Sequence, residues 1–195
     1  SERLSFEETE LPNVRTILRY EREEEWDTNL ADKKIMIVVG ESNGFTDAEI
    51  SSIKKFVYHH NAIVYSNHLS NLHIEEEIQG NLLLSAMSQS LFDEEFAPDI
   101  LITIGGQTGD YPLYGKLNGN QTLEHWRIST DGEVVDPYDK LTKIYECSIY
   151  FFFNKMKDVD VTEDHTYFKK YDNAMNKITH YTNIPLSNLY VAQQL

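Results

Sequence analysis

Ile35-Met36-Ile37-Val38-Val39-Gly40, followed by Glu41-Ser42-Asn43-Gly44-Phe45 and then Thr46-Asp47-Ala48-Glu49, decides the fold. The first run is short, β-branched and wholly apolar, as expected of a strand covered on both faces. Thr46 and Glu49 are spaced as a capping box, in which the hydroxyl accepts from the third helical amide and the carboxylate reaches back. Ile50, Ile53, Phe56 and Val57 follow at helical spacing. The unit therefore reads strand, loop, helix.

The same alternation continues downstream. Ala62-Ile63-Val64-Tyr65-Ser66 reads as a second strand, and a helix is expected near residues 75–90. Pro98-Asp99-Ile100-Leu101-Ile102-Thr103-Ile104-Gly105-Gly106 reads as a third strand running into glycines. A short helix is expected over residues 111–117, and strands at 124–128 and 142–147. Asp131-Gly132 reads as a turn, and Tyr150-Phe151-Phe152-Phe153 as an apolar helix start. Strands alternating with helices predict an α/β fold: a parallel sheet of five to six strands with helices on both faces. Beyond Lys157 the period becomes helical through Tyr167, Phe168, Tyr171, Ala174, Met175 and Ile178. Ile184-Pro185 breaks it, and residues 186–195 begin another amphipathic helix with no C-cap. Upstream, residues 14–20 alternate with period two and are expected to be extended. Three parts follow: a connecting arm over residues 1–33, an α/β domain over 34–158, and a helical connection over 159–195 that leads toward a further domain.

Composition narrows the function classes. A net charge of −15 disfavours nucleic acid, because phosphate neutralisation needs a basic face and only pairs such as Lys33-Lys34, Lys54-Lys55 and Lys169-Lys170 occur. No apolar run approaches the roughly 20 residues that span a bilayer, and the first residues lack signal-peptide character. Cys147, the lone cysteine, allows neither an internal disulfide nor a thiolate metal cage and reads as a packed thiol, consistent with a cytoplasmic setting. His59-His60, His68 and His73 are dispersed and read as surface histidines rather than as metal ligands. No nucleophile elbow, P-loop or dinucleotide fingerprint occurs. Gly105-Gly106-Gln107-Thr108-Gly109 is the best small-molecule candidate, with a structural turn as the favoured reading. Ligands of such sheets sit beyond the strands' C-terminal ends. The candidate positions there are Gly40, Ser70, Gly105, Gly106 and Lys116. No catalytic residue and no metal ligand is assigned.

Residues 98–106, His125-Trp126-Arg127-Ile128 with Asp131-Gly132-Glu133-Val134-Val135-Asp136-Pro137, Val38-Val39-Gly40-Glu41 with Phe45-Thr46-Asp47-Ala48-Glu49-Ile50, and Leu69-Ser70-Asn71-Leu72 together resemble the middle domain of the MenD family. These are thiamine-diphosphate-dependent SEPHCHC synthases of menaquinone biosynthesis. The resemblance covers residues 11–157. It departs where the family has Ser-Lys soon after the double glycine, against Gly115-Lys116 here. It departs again where the family has arginine and aspartate, against His73 and Asn67. The resemblance implies a three-domain parent, whose thiamine diphosphate and magnesium lie between a pyrimidine-binding and a diphosphate-binding domain. These two domains would be this chain's partners. The activating glutamate and the metal-binding Gly-Asp-Gly motif belong to those domains; Gly109-Asp110-Tyr111 is not that motif. The parent is expected to decarboxylate a 2-oxo acid such as 2-oxoglutarate and add the carbanion to isochorismate. This chain is expected to be structural, or regulatory, and inactive alone. A self-sufficient nucleotide- or flavin-binding module is the alternative. A third reading, a small enzyme, would use Ser70, Lys116 or His73.

Overall fold

A computed structural model describes residues 15–178 and Pro185. The first residues of the arm and the expected helix at 186–195 lie outside the described residues. Seven strands form one wholly parallel sheet in the order β1-β7-β6-β5-β2-β3-β4. They are β1 (Leu18–Glu21), β2 (Ile35–Val39), β3 (Ala62–Tyr65), β4 (Glu77–Ile78), β5 (Ile100–Ile104), β6 (Glu124–Ser129) and β7 (Leu141–Glu146). The expected α/β architecture is present, with more strands than the sequence reading gives. The extra strands are the edges. β1 comes from the arm and pairs with β7, from Leu18 beside Lys143 to Glu21 beside Glu146. β4 has two residues, paired with Val64 and Tyr65, and is too short to leave a periodic signature.

Because side chains alternate across a strand, the sheet builds two cores. Ile35, Ile37, Val39, Ile102 and Trp126 pack on one face against α1 (Asp47–His59) and α5 (Ile149–Met156). Met36, Val38, Ile63, Tyr65 and Leu101 pack on the other. That second face is covered by α2 (Asn81–Ala86), α3 (Gln89–Leu91), a π-turn (Phe92–Phe96), α4 (Tyr111–Gly119) and α6 (Thr166–Met175). All five residues of β2 are buried, as its sequence requires. The helix expected near residues 75–90 is instead β4, α2 and α3. The chain spends Glu77 and Ile78 on the sheet edge before Gly80 admits the helix.

The capping box at Thr46 is formed: Glu49 N–H donates to its hydroxyl, and Thr46 N–H donates to the Glu49 carboxylate. Asp110 caps α4 in a buried setting. It accepts from Leu113 N–H at 3.1 Å, from the Tyr65 hydroxyl at 2.6 Å and from Asn81 Nδ2 at 2.9 Å. Asp110→Ala removes the cap and strands the Tyr65 phenol, so a loss of about 2–4 kcal/mol is expected in urea denaturation. A change under roughly 0.5 kcal/mol, the size of a typical surface substitution, would show that Asp110 does not hold the α4 start.

Candidate functional site

The chain leaves β2 toward β3 and β4, then returns to β5 on the other side of β2. β2 and β5 are thus the neighbours where the strand order reverses, the place where open α/β sheets bind ligands. Their following loops lead to α1 and α4, on opposite faces. The crevice between them is nevertheless closed by backbone bonds. Gly40 N–H donates to Ile104 O at 2.9 Å, Glu41 N–H to Gln107 O at 3.0 Å, and Gly106 N–H to Glu41 O at 2.9 Å. A Cβ on Gly40 would lie 1.8 Å from Gly106 O, and Gly105 has φ +77°. These glycines therefore let two loops touch, as the structural-turn reading has it.

Beside this seam, on the α4 face, lies an open cavity of about 700 Å³. Its floor is the row Val38, Thr103, Arg127, adjacent in register across β2, β5 and β6. One wall is the glycine loop with Tyr111 and Tyr114 of α4. The other is Val135 to Tyr138, from the loop between β6 and β7. Parallel neighbours need a crossover, and here an irregular segment, residues 130–140, makes it without a helix. That segment runs back over the sheet and forms the wall.

Arg127 is the cation of the site. Its side chain is 13% exposed; its guanidinium reaches Asp131 Oδ2 at 3.5 Å and Ser129 Oγ at 3.4 Å, and its Nε is buried with no protein partner. Thr103 Oγ1 lies 2.8 Å from His125 Nε2, and His125 Nδ1 lies 3.5 Å from Asp136 Oδ1. Asp136 also accepts from the Lys140 and Leu141 amides and from Arg15. Burial works to raise the Asp136 pKa, but the nearby His125 ring, the two amides and Arg15 outweigh it and hold the carboxyl at about 2. Burial pushes the His125 pKa down against the pull of Asp136, so the ring is neutral at pH 7. Tyr138 packs edge-on against His125, with centroids 5.4 Å apart.

A pH dependence follows. The His125 and His60 pKa values are both lowered in the folded state, chiefly by burial. The unfolded chain binds protons first as pH falls, so stability is full above about pH 6.5 and declines below it. The Asp136 contribution is lost further down, as pH falls through about 2. Urea midpoints between pH 7.5 and 5 should fall, and His125→Gln should flatten the slope. An unchanged slope in the variant would remove His125 from the account.

Of the residues singled out in the sequence, Gly40, Gly105 and Gly106 line the cavity, and Ser70 and Lys116 do not. Ser70 is buried and donates to Asn67 O at 2.7 Å. Asn67 Nδ2 in turn donates to Thr108 O at 2.6 Å, so this pair ties two loops together. Lys116 sits in the last turn of α4 and donates to Met87 O, away from the cavity. His73 is exposed. The surface reading fails for His60, which is 1% exposed between Phe56 and Met156 O, because the last turn of α1 is covered by α5. Burial pushes the Cys147 thiol up to about 11, in keeping with a packed, unreactive group. Sequence reasoning missed Thr103, Arg127 and Asp136. The available signal was a polar residue near the C-terminal end of two strands that are buried on both faces.

Thiamine diphosphate would require a carboxylate or amide set for its metal. Among the described residues no group of three or more His, Cys, Asp or Glu side chains could hold a metal ion. Asp110 does not fit the role, since both its oxygens are already occupied inside the fold. No helix of the described residues is long and apolar enough to cross a membrane.

The fold and the strand-end cavity define a doubly wound, all-parallel α/β domain. No family model matches the chain. It is 30% identical over 165 residues to the 2-succinyl-5-enolpyruvyl-6-hydroxy-3-cyclohexene-1-carboxylate synthase of Bacteroides thetaiotaomicron, covering 75% of this chain and 28% of that protein. It is 31% identical over 155 residues to the same-named synthase of Phocaeicola vulgatus, with coverages of 75% and 28%. The Bacteroides fragilis synthase matches at 30% over 162 residues, with coverages of 77% and 29%. The chain is a homologue of one segment of these SEPHCHC synthases, the MenD family. It spans under a third of the length of the curated relatives it matches.

Proposed function

We propose that the chain is the central, non-catalytic domain of a SEPHCHC synthase-like enzyme in menaquinone biosynthesis, working in the cytoplasm. The observation that carries this is the similarity over three quarters of the chain to about 28% of the synthases. The parent would decarboxylate a 2-oxo acid such as 2-oxoglutarate and add the carbanion to an acceptor such as isochorismate. Its thiamine diphosphate and magnesium would be held by a pyrimidine-binding and a diphosphate-binding domain, for which this domain is the spacer. The sequence supports that division, since it lacks the Gly-Asp-Gly motif. Cofactor, metal and activating carboxylate must be brought together for such chemistry. The purified chain with thiamine diphosphate, magnesium and 2-oxoglutarate is expected to give no turnover above the protein-free rate. Turnover that saturates in the chain would overturn the proposal.

The cavity supports a second reading, in which the domain binds a nucleotide, flavin or aromatic acid. Tyrosine walls and the unpartnered Nε of Arg127 suit a ring that carries an anion. Calorimetric titration with each candidate tests it. Under this reading binding is saturable and Arg127→Ala weakens it at least about tenfold, the worth of one charge-assisted contact. Binding unaffected by Arg127→Ala would place the ligand elsewhere.

A further inference from the structure

A second depression, about 650 Å³, lies on the α4 face but away from the cavity, between α2–α3 and α6. Its floor is apolar, with Leu83, Met87, Leu91 and Phe96 on one side and Ala174 on the other. Leu91 is 45% exposed. Along the rim stand Lys169, Lys170 and Lys177. Lys170 pairs with Glu95, whereas Lys169 and Lys177 form no ion pair among the described residues. Lys169 lies within α6, and Lys177 lies two residues beyond its last residue, Met175. In a chain of net charge −15, a groove edged by three lysines is a local reversal of sign. Two cations with no ion-pair partner among the described residues, both lining one groove, match a row of carboxylates better than a single anionic head. An apolar floor beneath them calls for an apolar stripe on the same partner.

We infer that this groove docks an acidic amphipathic helix of a partner protein. Its leucine-like stripe lies on Leu83, Leu91 and Ala174, and its carboxylates meet Lys169 and Lys177. The mode is helix-in-groove recognition, with apolar anchors for affinity and rim charges for choice of partner. The −15 net charge repels such a helix at long range, so docking depends on the local lysines and weakens with salt.

The test uses the whole chain and a synthetic 14-residue amphipathic peptide, with a leucine stripe flanked by glutamates, against a twin with lysine at each glutamate. The glutamate peptide should bind saturably and perturb amide resonances of residues 83–91 and 169–177. The double variant Lys169→Glu, Lys177→Glu should weaken that binding at least tenfold and gain affinity for the lysine twin. Both lysines are exposed, so the variant should keep the parent's melting temperature, and the charge swap then reads recognition rather than folding. Equal binding of the two peptides, resonance shifts confined to the cavity near Arg127, or self-association of the chain that masks the groove would each overturn the inference.

Discussion

Gly40→Ala is expected to cost at least about 4 kcal/mol, or to leave no soluble folded protein, because it forces backbone rather than side chain to move. The new Cβ would sit 1.8 Å from Gly106 O and 2.5 Å from Gly106 C. Relief requires parting the β2 and β5 loops, and with them the bonds from Gly40, Glu41 and Gly106 that close the central crevice. Gly106→Ala is the matched control. Its Cβ would meet Glu41 Cβ and O at 3.4 Å and Glu41 N at 3.9 Å, ordinary van der Waals distances with no positive φ, so a loss under about 1 kcal/mol is expected. Fluorescence-detected urea denaturation reads both through Trp26 and Trp126. Similar midpoints for the two variants would mean that the loops do not touch as described.

Phe152→Ala is expected to cost about 3–5 kcal/mol, the range for deleting a buried aromatic ring. Phe152 is fully buried, with ring centroids 4.9 Å from Tyr145, 5.2 Å from Phe153 and 5.6 Å from Trp26. The loss is not confined to the core. Trp26 also packs on Tyr145 at 4.8 Å, and Tyr20 stacks on Tyr145 at 5.3 Å, so this aromatic cluster clamps the arm that supplies β1. Amide exchange at residues 18–27 should therefore accelerate in the variant more than exchange in β2. Uniform acceleration across the sheet would show that the cluster stabilises the domain without holding the arm.

The central strands were legible because burial on both faces leaves an apolar run, unbroken in residues 35–39 and interrupted in residues 100–104 only by Thr103. α1 was legible through its capping box and spacing. The edges were not. Glu77-Ile78 carries no period in two residues, and its surroundings, Glu75-Glu76-Glu77, imitate the first turn of a helix. The extended character of the arm was readable, but its pairing with β7 was not. Neither Leu18 nor Tyr20 announces that its contacts lie more than a hundred residues away. At the site, the glycines announced the place but not its use. Their role as a seam depends on an approach between residues 40 and 106 that spacing does not encode. Thr103 and Arg127 became a floor only once β5 and β6 were known to be neighbours in register. Ser70 and Lys116 lie outside the cavity lining, each with its polar group engaged locally, on Asn67 O and Met87 O.

The proposed role requires this chain to be one domain of a longer synthase, and the most direct measurement is of the native polypeptide. The 165 aligned residues make up 28% of the Bacteroides thetaiotaomicron synthase, which is therefore about three times as long as these 195 residues. Tagging the sequence in its own genome, purifying the polypeptide and measuring its intact mass and bound thiamine diphosphate would decide the matter. The expected result is a chain about three times the 22.7 kDa of these residues that carries thiamine diphosphate and decarboxylates 2-oxoglutarate. A native polypeptide close to 22.7 kDa, free of that cofactor and binding a nucleotide or flavin beside Arg127, would contradict the account.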